Sequence, residues 1–577
     1  MIALVSGHEV GWRWMWLVGL LVWVAPALMG QGRSMTIAQP TLNVPIAKDG
    51  AMKVFAIQVD GVTVREFPAQ LAEKEPDYWI FLDVSAFQGK TITISPEGVQ
   101  AGGDSGSGGG TSAGLRAGLD RIYQANTIEG AADLYKERNR PQFHFTVKRG
   151  WSNDVNGPIF YQGRYHLFWQ AFPFGVNWDT GFMYWGHAWS TDLIHWTEMA
   201  PALMLDKLSS PWSGTSFVDH DWDGSGKEAL VLVYTAFDRV TKKQVQCLAY
   251  STDGGAHFTR YQGNPVLDTN SEVGSNDTRD PKVFWYAPTK RWVMVLFEKD
   301  GMSFFNSTDL KTWTRKSHFK GLHECPDFFE LAVEGDARQK KWVLHGGSSS
   351  YYVGTFDGEK FTPESDELRY AEGKNAHGDD VLYAAQSFVD MPDGRRVQMA
   401  WGRIQPEGMA FNQMMLFPTE FRLVKTGEGI RLRAKPIAEI EKLHGKKRTY
   451  ASLTVEEANT RLKLAGARPL DVKLAVKLEQ ERELAIQFGG MTLATIHAAE
   501  LEKGKGDVRV LIDKAVAEIF VDGGARYIVR ELPTSPGAGG LELNLGQGNG
   551  VHGAGVIDRM EVDAMTSMWT GERGKTK

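Results

Sequence analysis

Short runs in which apolar and polar residues alternate cover much of the chain. In residues 40–98, runs such as MKVFAIQV and YWIFLDVSAF are separated by turn residues, and alternation with a period of two is typical of half-buried strands. These runs predict a small β domain over residues 35–100. The Gly- and Ser-rich stretch at residues 101–114 cannot form a core and is interpreted as a flexible linker. A short helix is expected near residues 128–138.

The middle of the chain repeats one combination of a strand and a turn. Apolar runs predict the repeated strand: RYHLFWQ, ALVLVYTAF, RWVMVLFEK, KWVLHGG and RVQMAWGRI. A Ser-Thr-Asp turn with an aromatic residue after it starts at Ser190, Ser251 and Ser307, and a degenerate copy starts at Thr355. The aspartates of these turns lie 61, 56 and 48 residues apart. Because strand-only units of this length are typical of propeller blades, five units predict a five-bladed β-propeller over residues 138–445.

Longer alternating runs begin near residue 450. They include LDVKLAVKL, ELAIQF, VRVLIDKAVAEIFVDG and LELNLG, and they predict a separate C-terminal β-sandwich over residues 449–570. The predicted fold class is therefore all-β, with a small N-terminal β domain, a five-bladed propeller and a β-sandwich.

The longest apolar run lies near the N-terminus. It follows Arg13 and reads WMWLVGLLVWVAPALMG, and small residues at Ala25, Ala27 and Gly30 provide cleavage positions. This pattern predicts a signal peptide over residues 1–30, and therefore a secreted or periplasmic protein. An uncleaved membrane anchor is the alternative, although the run is marginal for a spanning helix of about 20 residues.

Composition narrows the possible functions. The chain has 577 residues with 70 acidic and 64 basic side chains, so a net charge of -6 makes nucleic acid an unexpected partner. The 19 tryptophans can pack between strands or stack on sugar rings, so their number does not distinguish a structural role from carbohydrate binding. The two cysteines, Cys247 and Cys325, are too few for a disulfide framework and are expected to be buried thiols.

Three of the predicted blades open with a carboxylate. Asp154 lies in WSNDVNGP, Asp280 in TRDPK and Glu324 in HECPDFFEL. The first strand of each blade lines the propeller axis, so these side chains are expected to converge at one end of the channel. Paired carboxylates cleave glycosidic bonds, whereas three carboxylates can also bind Ca²⁺. The adjacent Arg279 and His323 favour glycoside chemistry, and neither a metal nor a cofactor is expected.

These three motifs, in this order, resemble the signature blocks of glycoside hydrolase family 32, the invertases, inulinases and levanases. FWQ, YWGHAWSTDLIHW, WSG, YAAQSF and VLIDKAVAEIFVDG are similar to other blocks of the same family. The resemblance covers roughly residues 140–570 and implies a five-bladed propeller followed by a β-sandwich. The N-terminal β domain is similar to an extra domain ahead of some bacterial levanase-like members.

The resemblance also implies roles for individual residues. It makes Asp154 the nucleophile, Glu324 the acid/base and Asp280 the transition-state stabiliser. Substrate-binding residues are expected to be Asn153, Gln170, Trp212, Ser213 and Arg279. The chain departs from the family pattern at two places. The family usually has Pro at the position of Val155, and the segment around Trp178 is about two residues longer than is usual in the family.

Three of the substrate-binding residues also have an ordinary structural interpretation. Asn153 can cap its own turn, Trp212 can pack in a core, and Arg279 can form a surface salt bridge. The family motifs favour sugar binding for Asn153 and orientation of the Asp280 carboxylate for Arg279.

The expected activity is retaining hydrolysis of terminal β-D-fructofuranosyl residues from levan, inulin or sucrose, through a covalent fructosyl-enzyme. The general acid Glu324 requires a raised pKa, which an ionised Asp154 nearby would provide. A fructosyltransferase with the same catalytic residues and a non-catalytic fructan-binding propeller remain open alternatives. The expected partner is a carbohydrate, without nucleic acid and without stable membrane insertion after signal cleavage.

Overall fold

A computed structural model describes residues 32–100, 112–178, 180–206, 209–466, 469–479, 482–535, 537, 539–546 and 557–569. The predicted signal peptide, residues 1–30, lies outside these ranges, and so do residues 101–111 of the predicted linker. Within the described residues, no helix combines the length and apolar character needed to span a membrane.

The N-terminal domain consists of two small antiparallel sheets with a shared core. Their strands are β1 (Arg33–Thr36), β2 (Thr41–Ile46), β3 (Lys53–Val59), β4 (Val62–Ala69), β5 (Tyr78–Asp83), β6 (Thr91–Gln100) and β7 (Tyr123–Ala125). The strand order is β1-β6-β3-β4 in one sheet and β5-β2-β7 in the other. Helix α1 (Ser112–Arg121) precedes β7, so residues 112–114, assigned to the linker from the sequence, begin a helix that leads back into this domain.

The short helix expected near residues 128–138 does not form. Residues 129–136 are a series of turns instead. Gly130 and Tyr135 have φ angles of 71° and 67°, which lie in the left-handed region and are incompatible with a right-handed helix.

Five antiparallel units follow as the blades of the propeller, and the fourth and fifth units are joined at their edges into one sheet. Blade one contains β8 (Gly150–Tyr161), β9 (Arg164–Phe172), β10 (Tyr184–Ser190) and β11 (Trp196–Glu198), and blade two contains β12 (Ser209–Asp219), β13 (Ala229–Asp238), β14 (Gln244–Ser251) and β15 (Thr259–Arg260). Blade three contains β16 (Thr278–Tyr286), β17 (Arg291–Glu298), β18 (Gly301–Ser307) and β19 (Thr314–Lys320), and blade four contains β20 (Asp327–Val333), β21 (Asp336–His345), β22 (Ser350–Phe356), β23 (Phe361–Pro363) and β24 (Leu368–Arg369). Blade five contains β25 (Leu382–Ser387), β26 (Arg396–Gly402), β29 (Thr419–Thr426) and β30 (Gly429–Pro436). Two short strands, β27 (Phe411–Asn412) and β28 (Met414–Met415), pair with β8 and β26, and a short helix α2 (Asn270–Val273) precedes blade three.

The sequence repeat has a simple structural basis. Each repeated apolar run forms the second strand of a blade, and each Ser-Thr-Asp turn joins the third strand to the fourth. In blade one, Oδ1 of Asp192 accepts hydrogen bonds from the backbone N–H groups of Ile194 and His195. Equivalent bonds are made by Asp253, Asp309 and Asp357. The aspartate is therefore repeated because it satisfies backbone donors in a tight turn.

The C-terminal β-sandwich packs two sheets around its own apolar core. Its strands are β31 (His444–Leu453), β32 (Leu470–Lys477), β33 (Glu483–Phe488), β34 (Met491–His497), β35 (Lys505–Ile512), β36 (Val516–Val521), β37 (Arg526–Glu531), β38 (Leu541–Leu545) and β39 (Ile557–Met565). Helix α3 (Val455–Ala465) begins with a capping box, in which Thr454 and Glu457 satisfy each other's backbone N–H groups.

A buried ionic cluster joins the sandwich to the segment that leads into the propeller. The two ring nitrogens of His144 lie 2.9 Å from Oδ2 of Asp513 and 2.7 Å from Oε1 of Glu518. The hydroxyl of Tyr527 donates to Glu518, and the backbone N–H of Phe143 donates to Asp513. Burial alone would lower the pKa of His144, but the two carboxylates raise it to about 9. We call these four side chains, of His144, Asp513, Glu518 and Tyr527, the interface cluster.

Candidate active site

A pocket of about 280 Å³ opens at one end of the propeller. It is lined by Asn153, Asp154, Gln170, Trp178, Met183, Trp212, Ser213, Gln244, Asp277, Arg279, Asp280 and Glu324. All eight site residues predicted from the sequence line this pocket, although they come from four different blades. The structure therefore brings the three acids and the five expected binding residues together in one place.

Irregular backbone positions the three acids. The pairing of β8 with β9 shifts register between Ser152 and Val155, and Asp154 lies in this bulge. Asp280 lies in a second register shift, between β16 and β17, and has a φ of 63°. Glu324 precedes β20 with a φ of 35°. Bulges and left-handed residues turn side chains away from the regular alternation of a strand, and here they direct carboxylates into the pocket.

Asp154 is held by neutral hydrogen-bond donors. The hydroxyl of Ser213 donates to Oδ2 over 2.7 Å, and the amide of Asn153 donates to Oδ1 over 3.1 Å. The indole N–H of Trp151 donates to the Asn153 side-chain oxygen, which fixes the orientation of the amide. Burial and the nearby charge of Glu324 raise the pKa of Asp154, and the hydrogen bonds oppose that shift.

Cys325 lies between the two aspartates. Its backbone N–H donates to Oδ2 of Asp280 over 3.0 Å, and its Sγ lies 3.5 Å from Oδ2 of both Asp154 and Asp280. Because both oxygens contact the same sulfur, Oδ2 of Asp154 and Oδ2 of Asp280 lie no farther apart than twice this 3.5 Å distance. Burial raises the pKa of Asp280, Arg279 opposes the shift, and the charges of Glu324 and Asp154 reinforce it. Cys325 is a free buried thiol, and so is Cys247.

Glu324 has a different environment from the two aspartates. Arg279 donates to its Oε2 through Nη2 at 2.8 Å and through Nε at 3.2 Å, and the hydroxyl of Tyr383 donates to Oε1. Nδ1 of His323 lies 3.5 Å from Oε1. Burial would raise the pKa of Glu324, but these partners lower it. The raised pKa expected for Glu324 from the sequence is thus wrong, because His323, Arg279 and Tyr383 together outweigh the effect of burial.

The pocket carries more negative than positive side chains. Among the described residues that line it, four are acidic and Arg279 is the sole cation. Arg279 contacts Glu324 directly, approaches Asp277 closely and lies 3.6 Å from Asp280. Burial and repulsion between the carboxyl groups raise the pKa of Asp154 and Asp280, and the carboxyl groups of the pocket titrate as a coupled group.

Sequence reasoning assigned no role to several residues of the site. Gln244, Asp277 and Met183 line the pocket, and Trp178, whose role was left open, lines it with 58% of its surface exposed. Tyr383 contacts Glu324, and its motif YAAQSF was an available signal. Asp277 lies immediately before the TRDPK block, whereas nothing in the sequence distinguishes Gln244 or Met183.

One group elsewhere in the described residues has metal-ligand geometry. His444, Asp471 and Asp563, in the sandwich, offer ligand atoms within 4.8 Å of one another. Nε2 of His444 lies 2.8 Å from Asp471, and Arg509 donates to the same carboxylate over 2.6 Å. Arg509 therefore already pairs with Asp471, and this cluster is separate from the pocket.

The structure thus combines a five-bladed propeller, a β-sandwich and a pocket lined by several carboxyl groups. The family profile described as the glycosyl hydrolases family 32 N-terminal domain matches residues 144–436, and the chain belongs to this family.

Several known proteins are similar to the chain. A levanase of Bacillus subtilis is 36% identical over 436 residues, which cover 70% of this chain and 61% of the levanase. An extracellular exo-inulinase of Meyerozyma guilliermondii is 36% identical over 295 residues, 46% of this chain and 54% of that protein. The chain thus spans little more than half the length of these relatives. The crystal structure of an exo-inulinase from Aspergillus awamori superposes with a TM-score of 0.63 over 75% of this chain and 100% of that one, at 22% identity, and supports the fold.

Proposed function

We propose that the protein is a retaining β-fructofuranosidase that removes terminal fructosyl units from a fructan, such as levan or inulin, or from sucrose. The observation that carries this proposal is the convergence of Asp154, Asp280 and Glu324 from three blades in one pocket. A pocket of about 280 Å³ is small compared with sites for drug-sized ligands, which suits one terminal sugar unit. The similarity to levanases and an exo-inulinase supports fructose as that sugar.

In the proposed reaction, Asp154 attacks the anomeric carbon of the fructosyl unit. The glycosidic C–O bond breaks as the new ester bond to Asp154 forms, and the proton of Glu324 passes to the leaving oxygen. Water then gives a proton to Glu324 and attacks the same carbon, which releases fructose and restores the Asp154 carboxylate. Asp280 and Arg279 bind sugar hydroxyls, as do Asn153, Gln170 and Ser213, while Trp212 provides an apolar wall.

The reaction requires a proton to move within the pocket before cleavage. In the free protein the pKa of Asp154 and Asp280 is raised and that of Glu324 is lowered, so the shared proton favours an aspartate. We propose that the bound sugar draws Arg279 away from Glu324 by accepting its hydrogen bonds. Glu324 then takes up the proton and Asp154 is left ionised as the nucleophile.

We also propose that the protein is exported through the apolar segment within residues 1–30. The sequence pattern described above supports this, and a relative described as extracellular is consistent with it. Fractionation of cells that produce the full chain provides the test. Recovery outside the cytoplasmic fraction, with an N-terminus beyond about residue 25, is the expected result, and intact chain in the cytoplasm would exclude export.

The activity is tested by incubating the purified protein separately with sucrose, inulin and levan. Chromatography of the released sugars should reveal free fructose from at least one substrate, and Asp154→Asn is the matched inactive control. Proton NMR before mutarotation should detect retained β configuration in the first product. Inverted product would exclude the covalent mechanism. Oligosaccharides longer than the substrate would indicate fructosyl transfer, and binding without cleavage would indicate a non-catalytic propeller.

A further inference from the structure

The N-terminal domain packs against the segment that forms one side of the pocket. Residues 173–178 and 180–183 lie between β9 and β10 in blade one, and these residues, the rim segment, include the pocket residues Trp178 and Met183. The buried apolar side chains of the N-terminal domain belong to the same continuous core as those of the rim segment. The rim segment therefore packs against the N-terminal domain and also lines the pocket.

The centre of this contact involves Val176. Its backbone N–H donates to the hydroxyl of Tyr78 over 3.2 Å, from the N-terminal domain. On its other side, the amide of Asn412, in strand β27 beside β8, donates to the Val176 carbonyl over 2.9 Å. Nearby, the rings of Phe67 and Phe174 lie 6.0 Å apart, and both side chains are buried. The rim segment is thus held on one side by the N-terminal domain and on the other by the propeller.

Charged side chains extend the same contact towards the end of the rim segment. Glu66 of the N-terminal domain lies 3.9 Å from the guanidinium of Arg239, in blade two. That guanidinium lies over the ring of Phe182, 5.1 Å from its centroid. Glu66 therefore orients a cation that packs on the rim segment one residue before Met183, although Glu66 does not reach the pocket.

Trp178 shows what the rim segment presents to a ligand. This large aromatic side chain is 58% exposed at a pocket whose volume suits one sugar unit. If the fructosyl unit fills the pocket, the sugar to which it is bonded must lie at the opening, beside the rim segment. An exposed indole is suited to stacking on the apolar face of a sugar ring, and it can contribute only if its backbone is held in place.

We propose that the N-terminal domain is a positioning element of the active site: through Tyr78, Phe67 and Glu66 it holds the rim segment so that Trp178 binds the leaving-group sugar. This proposal rests on the proposed β-fructofuranosidase activity. Tyr78 is a positioning residue, since it acts through Val176 and touches neither the sugar nor the acids. Its loss should weaken binding of the leaving-group sugar and leave the chemistry at Asp154 unchanged.

The test compares Tyr78→Phe with Tyr123→Phe in the full-length chain. Both variants remove one hydroxyl from the same domain, but the Tyr123 hydroxyl bonds to Glu129 and the Tyr78 hydroxyl bonds to the rim segment. For Tyr78→Phe, we expect KM for sucrose and fructan oligosaccharides to rise about three- to tenfold with kcat little changed, as suits the loss of one hydrogen bond. Fructosyl fluoride has no leaving-group sugar, so its kcat/KM should stay at the wild-type value. Tyr123→Phe should match the wild type throughout.

Two further results decide against the proposal. An equal loss on fructosyl fluoride would show general damage to the pocket, and an unchanged KM for every glycoside would show that the contact does not act on substrate. Hydrogen exchange gives an independent measurement, because peptides covering residues 174–184 should exchange faster in Tyr78→Phe and not in Tyr123→Phe. If the wild type cleaves no fructoside, the proposed activity fails, and calorimetric binding of fructan oligosaccharides then decides the proposal: weaker binding by Tyr78→Phe supports it and equal binding overturns it.

Discussion

The interface cluster and the pocket both bury several ionisable side chains, but they balance them differently. In the interface cluster, His144 lies between Asp513 and Glu518, and a tyrosine hydroxyl and backbone N–H groups complete the hydrogen bonds of the carboxylates. In the pocket, four acidic side chains share one guanidinium. The first arrangement places one imidazole between two carboxylates, whereas the second has a larger excess of acidic over basic side chains.

This difference in charge determines in which of the two groups a proton can move between side chains. In the interface cluster, mutual attraction raises the pKa of His144 and lowers that of Asp513, so both charges are stable across neutral pH. In the pocket, burial and mutual repulsion raise the pKa of Asp154 and Asp280, so a proton can be exchanged among the acids. Buried charge therefore serves stability where it is compensated, and it serves chemistry where it is not.

The largest effect is expected from Asp154→Asn. Loss of the nucleophile should lower kcat on every fructoside, including fructosyl fluoride, by more than about 10⁴-fold. Because the change removes one of several repelling acids, the melting temperature should stay the same or rise. Kinetics and calorimetry on the same preparation check both results. A large loss of stability would show that Asp154 belongs to a balanced cluster and would contradict the comparison.

Glu324→Ala should give a smaller effect that depends on the leaving group. General acid assistance contributes about 10²- to 10⁴-fold, so cleavage of sucrose or fructan should fall by about that factor. Fructosyl fluoride needs little protonation of its leaving group and should recover much of the first step. Small anions such as azide should accelerate only this variant. Equal losses on both substrates would contradict the division of roles between Asp154 and Glu324.

The reverse pattern is expected at the interface cluster. His144→Ala leaves two buried carboxylates without their cation and should lower the free energy of unfolding by about 3–5 kcal/mol, with kcat per folded molecule unchanged. His257→Ala is the matched control, because His257 pairs with Asp253 at the surface and should contribute less than about 1 kcal/mol. Denaturant unfolding measures both. Similar values for the two variants would exclude a structural role for the buried cluster.

The interface cluster also predicts a dependence of stability on pH. The pKa of His144 is about 9 in the folded protein, above its ordinary value of 6.5. Its stabilising contribution should therefore be complete below about pH 6.5 and decline as pH rises through 9. Melting temperatures measured between pH 6 and pH 9.5 should fall more steeply for the wild type than for His144→Ala. Parallel curves would contradict the raised pKa.

The smallest shift is expected from Tyr383→Phe. The Tyr383 hydroxyl stabilises the Glu324 carboxylate, so its removal raises the pKa of Glu324 and keeps the acid protonated to higher pH. The alkaline limb of the pH profile of kcat/KM should move upward by about one pH unit. Tyr352→Phe, which removes a surface hydrogen bond to Glu367, should leave the profile unchanged. A downward shift would contradict the assignment.

The fold could be predicted from the sequence largely because its signals are local. Each blade repeats a strand and an Asp-containing turn, and aspartates such as Asp192 act on backbone only a few residues away. The three acids were found for a related reason, since each lies within a short recognisable motif. The turns at residues 129–136 were missed because the helical pattern there gives no sign of the left-handed Tyr135.

What depends on distant parts of the chain could not be predicted. The lowered pKa of Glu324 depends on Tyr383, 59 residues away, and on Arg279, 45 residues away. His144 meets Asp513 across 369 residues and belongs to no recognised motif. Tyr78 likewise contacts a segment that is distant in the sequence. No sequence pattern around Tyr78 or in the rim segment predicts that the two are in contact.

The left-handed backbone at Asp280 has a consequence for how such a site persists through evolution. Glycine at this position would relieve the unfavourable φ angle and would also remove a buried carboxyl group whose pKa is raised. Glu324 differs, because the partners that lower its pKa stabilise its carboxylate and oppose its replacement. Selection for resistance to heat alone should therefore replace Asp280 early and keep Glu324.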